Sequence, residues 1–204
     1  MLAGLGVTVI AGGGDTERLA GELARQARGA AGIISFGMAG ALDPTLRIGD
    51  WMIGTSLIGS WEGDCDGPWA KALAAHLPAA KSGICYGDGR LIADPAEKRA
   101  LGKNGAIVAD MESHIAAEAA AMAGIPFAIL RCISDEADAA LPPAIGVAMR
   151  PGGGLALVAI IASILKNPSQ VPELIGSSAR FRSAYAAMQA GATAAGQRLA
   201  FDLR

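Results

Sequence analysis

Aromatic side chains are scarce in this chain. They make up 4% of it, so any core must be built mainly from Ala, Val, Ile and Leu. Charge is scarce too, at 18% against 52% hydrophobic, which argues against disorder. The net charge is −2 and no basic block stands out, so the electrostatic footprint of a nucleic-acid binder is missing. A small-molecule substrate fits this balance better. The only histidines are His76 and His114, and the cysteines Cys65, Cys85 and Cys132 are odd in number and lack metal-ligand spacing. Neither a zinc site nor a disulfide framework is indicated, and no cofactor is expected. The simplest compartment is the reducing cytoplasm. No basic-then-apolar leader opens the chain, and the longest apolar run, Leu155 to Leu165, is too short to span a bilayer. The 204 residues suffice for one domain with a real core.

What is present reads as alternating strands and helices. Leu5 to Ala11 (LGVTVIA) has the β-branched content of a strand. Gly12-Gly13-Gly14 breaks it, and Asp15 or Thr16 can cap a helix with Leu19, Leu23 and Ala27 on one face. Gly32 to Phe36 reads as a second buried strand, which makes a βαβ unit and implies parallel pairing. Gly37-Met38-Ala39-Gly40 follows it. Further strands are expected over Trp51–Ile58, Lys81–Tyr86, Ile107–Ala109 and Phe127–Ile133, with helices over Trp69–His76 and Pro95–Leu101. Trp61–Pro68 reads as a loop. A helix carrying Ile115, Ala119 and Met122 at helical spacing should end at Gly124, in a left-handed cap ahead of Pro126. From about residue 152 the chain turns mostly helical, divided by Pro168 and Pro172.

Four stretches could carry chemistry. Gly12-Gly13-Gly14 can bring an anion to a helix N-terminus or simply make a tight turn. It is not a dinucleotide fingerprint, because Arg18 and Leu19 stand where a third glycine is needed. Ser35 to Gly40 places two glycines at a strand's carboxyl end, where ligands of open α/β sheets bind, and a plain turn explains them equally well. In Asp110-Met111-Glu112, Asp110 reads as an N-cap. Glu112 either complements the helix dipole or accepts from two neighbouring hydroxyls, as a ribose diol requires, with Met111 as a flexible apolar surface. Ser134-Asp135 ends an apolar strand. Asp135 there is either an Asx turn or an acid placed for a leaving group.

In this order, the segments SFGMAGALDPTLRIGDWMIG (35–54), VADMESHIAAEAAAMAGIPFAILRCISDEAD (108–138) and, less specifically, VTVIAGGGDTERLAGEL (7–23) resemble the nucleoside phosphorylase superfamily, which includes the 5′-methylthioadenosine/S-adenosylhomocysteine nucleosidases. The resemblance covers roughly residues 5 to 140. The C-terminal NPSQVPEL and the DMES helix start are most similar to the hopanoid-associated phosphorylase branch, which is assigned the removal of adenine from adenosylhopane.

The resemblance implies a three-layer α/β/α sandwich with a mixed, largely parallel sheet, and cleavage of an N-glycosidic bond by phosphorolysis or hydrolysis. By position, Met111 would pack on the ribose and Glu112 bind its 2′ and 3′ hydroxyls. Asp135 would serve purine N7, oriented by Ser134, and Leu91 would line the base. Met38, Ala39 and Gly40 would border the substrate, with Gly37 and Gly13 at the phosphate or nucleophile pocket. Inorganic phosphate is the co-substrate if the reaction is phosphorolysis. A purine nucleoside is the expected small-molecule partner. A lipid-linked one would draw the protein to a membrane surface, and a homo-oligomer is expected. Two departures stand out. Met38 cannot donate a hydrogen bond where the family often carries a donor to phosphate. The family's usual N-terminal strand and loop, with its nucleophile-activating group, are expected to be absent, which leaves Asp15 and Glu17 as weak substitutes. The alternatives are a methylthioadenosine-type nucleosidase and a non-catalytic nucleoside- or lipid-binding module.

Overall fold

The computed structural model describes residues 6–12, 15–142 and 171–204. Its helices are α1 (Thr16–Ala27), α2 (Gly67–His76), α3 (Pro95–Gly102), α4 (Ser113–Ala123) and α5 (Val171–Ala194), with a 3₁₀ segment at Gln197–Leu203. Its strands are β1 (Ile33–Ala41), β2 (Trp51–Gly59), β3 (Gly63–Asp64), β4 (Lys81–Gly87), β5 (Ala106–Asp110) and β6 (Phe127–Asp135).

The strands form one mixed sheet in the order β3-β2-β4-β5-β1-β6. The longer ladders, β1 with β6, β2 with β4 and β4 with β5, are parallel. The short ones are antiparallel. One of these joins Trp51–Ile53 of β2 to Leu130–Cys132 of β6, so the sheet closes on itself.

Residues 6–12, expected as a strand, pair with nothing in the sheet. β1 pairs with β5 only through Gly40 and Ala41, so its edge before Gly40 is left to the cleft, which Val7, Thr8, Val9 and Ile10 also line without joining the ladder. Ile10 packs against the core while Val9 stays 58% exposed, and the expected βαβ unit lacks its first strand.

Alternation along β6 divides the interior. Phe127, Ile129 and Ile133 meet Leu19, Leu23, Ile115, Ala116 and Ala120 of α1 and α4 on one face. Ala128 and Leu130 meet Trp69 and Leu73 of α2 and Leu199 of the 3₁₀ segment on the other. Trp69 Nε1 donates to Leu199 O at 2.8 Å, which satisfies the indole within that second layer. The helices thus flank the sheet on both faces, as an α/β/α arrangement requires. Small residues permit the close approaches. A Cβ on Gly191 of α5 would sit 2.1 Å from the Trp51 ring.

Local signals mostly explain the helix ends. Asp15 caps α1 by accepting from Arg18 N at 3.0 Å, which is worth about 1 kcal/mol. Gly124 ends α4 at φ +64°, with Ile125 N bonded to Ala120 O. Met122, by contrast, is 82% exposed, because alanines form most of the face that α4 buries. Pro172 stands at a helix boundary. It lies in the first turn of α5, where a missing N–H costs nothing. Trp61–Pro68 is not all loop, since it contains β3. The triple glycine 152–154, the run 155–165 and Pro168 lie outside the described residues.

Candidate active site

A cleft of about 1050 Å³ opens along β1 toward the carboxyl ends of β1 and β6. Met38, Ala39, Gly40, Leu91 and Gly37 line it, and so do Met111, Glu112, Ser134 and Asp135. These come from the β1 and β6 ends, the turn before α4 and the segment before α3. Gly13 lies outside the described residues. Asp15 is committed to the α1 cap, and Glu17 is exposed and does not line the cleft.

The glycines of Gly37–Gly40 are not a turn beyond the strand. They lie inside β1. Gly37 is paired with Arg131, and a Cβ there would sit 2.6 Å from Arg131 Nη1. Gly40 is paired with Asp135, and a Cβ there would sit 2.9 Å from Asp135 Oδ2. The pair therefore makes room for two charged side chains of the neighbouring strand. A register shift between Ala39 and Gly40 leaves Ser134 as the extra residue of β6 and sets Asp135 beside Gly40. Bulges of this kind re-aim side chains beside functional sites. Ser134 and Asp135 are thus the last residues of β6 itself, not a turn after it.

At the other wall, β5 ends in Asp110 and α4 starts at Ser113, so Glu112 and not Asp110 occupies the N-cap position. Glu112 makes no capping bond. Asp110 does that work from the strand end, where Oδ1 accepts from Glu112 N at 2.9 Å and Ser113 N at 2.7 Å. Glu112 is left to the cleft. Burial pushes its pKa up, Arg131 opposes that rise, and Asp110 adds to it. Gly12 gives it room, since a Cβ at that glycine would sit 2.9 Å from Glu112 Cγ.

Behind Glu112 lies a buried polar cluster that sequence reasoning missed. Arg131, 4% exposed, donates from Nη2 to Ser35 Oγ at 2.5 Å and Ser113 Oγ at 3.0 Å. Its Nε lies 2.9 Å from Asp110 Oδ2 but off the line of a hydrogen bond, so that contact is electrostatic. Ser113 Oγ also bonds Asp110, and Cys85 Sγ donates to Asp110 Oδ2 at 3.2 Å. Burial raises the Asp110 carboxyl, but Arg131 and the Ser113 donors outweigh it and hold its pKa below the ordinary value. Burial above all, then Asp110, keeps the Cys85 thiol protonated as a donor. One signal could have revealed Arg131: a lone cation in the apolar run Phe127–Ile133 demands a buried partner.

Asp135 is held differently. Lys98 of α3, 1% exposed, places Nζ 2.5 Å from Asp135 Oδ2. Ser134 Oγ lies 2.8 Å from Asp135 Oδ1 and 3.2 Å from Ala39 O, and its single proton serves one at a time. Leu91 follows a second network, in which Tyr86 and Arg90 both donate to Asp88. Burial raises the Asp88 carboxyl, but the Arg90 donors and the Tyr86 hydroxyl hold it below its usual value.

A closed mixed sheet flanked by helices, with two carboxylates facing one cleft at the strand ends, defines an α/β protein with a candidate active site at those ends. Residues 15–145 match the Phosphorylase superfamily, and the chain belongs to that family. Among solved structures it resembles S-adenosylhomocysteine nucleosidase of Streptococcus pyogenes in complex with 5-methylthiotubericidin, at 22% identity and TM-score 0.53, covering 60% of this chain and 62% of that one. It also resembles 5′-methylthioadenosine/S-adenosylhomocysteine nucleosidase of Neisseria meningitidis in complex with methylthio-immucillin-A, at 21% identity and TM-score 0.54, covering 60% of this chain and 64% of that one. The chain therefore spans less than two thirds of these relatives, and at such identities the likeness is one of fold. No curated protein matches it. Among the described residues no helix is long and apolar enough to cross a membrane.

Proposed function

We propose that this protein cleaves the N-glycosidic bond of a purine nucleoside, releasing adenine from an adenosine-linked substrate such as adenosylhopane. The observation that carries the reading is that Glu112 and Asp135, from separate elements, line one cleft in a chain of the Phosphorylase superfamily. Bond cleavage builds positive charge on the sugar and negative charge on the purine. Glu112 accepts from the 2′ and 3′ hydroxyls and fixes the ribose, while Met111 packs against the sugar. Asp135, oriented by Ser134, protonates or hydrogen-bonds N7, and Leu91 borders the base. General acid help of this kind contributes about 10²–10⁴-fold. Met38, Ala39 and Gly40 border the substrate, with Gly37 at the nucleophile side.

The cleft slightly exceeds the roughly 300–1,000 Å³ of ordinary small-molecule sites. Its continuation along β1 to Trp69 and Phe201 supports a nucleoside carrying a bulky apolar 5′ group. Such a lipid-linked substrate would bring the protein to a membrane surface, and we infer a cytoplasmic homo-oligomer. The test is adenine or hypoxanthine release from adenosylhopane, 5′-methylthioadenosine and inosine, with and without phosphate. Preference for adenosylhopane supports the reading, and phosphate dependence separates phosphorolysis from hydrolysis. Preference for 5′-methylthioadenosine without phosphate favours the nucleosidase reading. Tight nucleoside binding by calorimetry without turnover makes the protein a binding module.

A further inference from the structure

Lys98 is buried to 1% exposure and does not line the cleft, yet it reaches the cleft's acid from behind. An ammonium has three N–H donors. All three are spent on one short segment: Asp135 Oδ2 at 2.5 Å, Glu136 O at 2.9 Å and Ala139 O at 3.0 Å. Burying a lysine this deeply is unfavourable unless its partners compensate, and an apolar residue would fill the same space without that cost. The same segment is tied once more to the region before α3, where Leu141 N donates to Ala93 O at 3.1 Å. Leu91 and Leu141, on either side of this tie, both line the cleft. Asp135 Oδ2 is also boxed in by Gly40, where a Cβ would come within 2.9 Å.

We propose that Lys98 is the positioning residue of the leaving-group half of the site. It sets the angle at which the Asp135 carboxyl meets the base and holds the rim from 136 to 139 against α3. This rests on the nucleoside-cleaving reading above. The Lys98 ammonium occupies Oδ2, so Oδ1 is left to carry the proton that passes to N7, and the ammonium balances the charge the carboxyl gains on giving it up. A lysine does this where an arginine cannot, because a compact ammonium meets three convergent acceptors and a planar guanidinium does not.

The experiment compares two substrates in the intact protein. One is the best nucleoside from the panel above. The other is 4-nitrophenyl β-D-riboside, whose phenolate leaves without a proton at a ring nitrogen. In Lys98→Met, kcat for the nucleoside should fall about 100-fold with KM within about threefold, while the nitrophenyl riboside loses less than about fivefold. Lys98→Arg should show the same selectivity to a smaller degree, and it carries the test if Lys98→Met does not fold. Equal losses on both substrates, unchanged kcat, or a rise in KM alone would overturn the role of Lys98 while leaving the nucleoside-cleaving reading intact. Should the wild type cleave only the nucleoside, the split between kcat and KM decides. A folded wild type that cleaves neither substrate overturns both proposals.

Discussion

Two carboxylates face the same cleft and are treated in opposite ways. Asp135 has a buried ammonium on one oxygen and a serine hydroxyl on the other. Glu112 has no capping bond, and burial raises its pKa. Its neighbour Asp110 takes the helix N–H groups and the Arg131 contact in its place. A carboxylate held on both oxygens has its geometry decided before a ligand arrives. One kept short of donors still has lone pairs to offer, which is what a diol needs.

The strongest way to break this contrast is to remove Arg131. Arg131→Met leaves Asp110 buried without its cation and should cost about 3–5 kcal/mol of stability, read from urea denaturation. A loss below about 1 kcal/mol would mean that the pair does not organise this wall. Next is Asp135→Asn, which should lower kcat about 100-fold, equal to about 2.7 kcal/mol of barrier, and should also lower the melting temperature, because it leaves the buried Lys98 ammonium without its carboxylate. Near-normal turnover removes Asp135 from the chemistry.

Glu112→Gln should lower kcat/KM about 10–100-fold, the scale of a charged hydrogen bond. It also sharpens the contrast through pH. Glu112 must be ionised to accept both hydroxyls, so activity should fall on acidification through a pH above the ordinary glutamate value, and that limb should vanish in the variant. The stability sign runs the other way. A raised folded pKa favours the protonated form, so its stabilisation is full below the unfolded pKa and lost as pH rises through the folded one. Glu112→Gln should therefore melt slightly higher than wild type near neutral pH and lose that advantage in acid. The smallest effect is expected from Gly40→Ala, whose Cβ would press Asp135 Oδ2. A roughly threefold to tenfold fall in kcat with KM preserved fits a displaced acid. A fall in stability alone would make Gly40 a packing residue.

Much of the scaffold was legible. β2, β4, β5, α2, α3 and the Gly124 stop follow from apolar runs, caps and glycine conformation, which are properties of neighbours in the chain. Residues 6–12 misled because strand propensity says nothing about whether a neighbouring strand takes up the segment's hydrogen bonds, and β1 leaves its edge before Gly40 to the cleft. Gly37 and Gly40 misled for a related reason. A glycine marks close approach, but the sequence does not say what approaches, and here it is Arg131 and Asp135 from the next strand. Lys98 left no signal at all. Its partner lies 37 positions away, and on a short helix with Glu97 and Arg99 it looks like one more solvated charge.

The sequence by itself determined the order of elements, the family resemblance and the identity of Glu112 and Asp135 as carboxylates worth watching, because these depend on residue types at short spacings. Only the tertiary structure decided which carboxylate is paired and which is open. That outcome depends on a ring-closed sheet bringing Arg131 behind one wall and on α3 delivering Lys98 to the other. Burial then makes each pairing matter, since a charge removed from water is governed by the few groups that reach it.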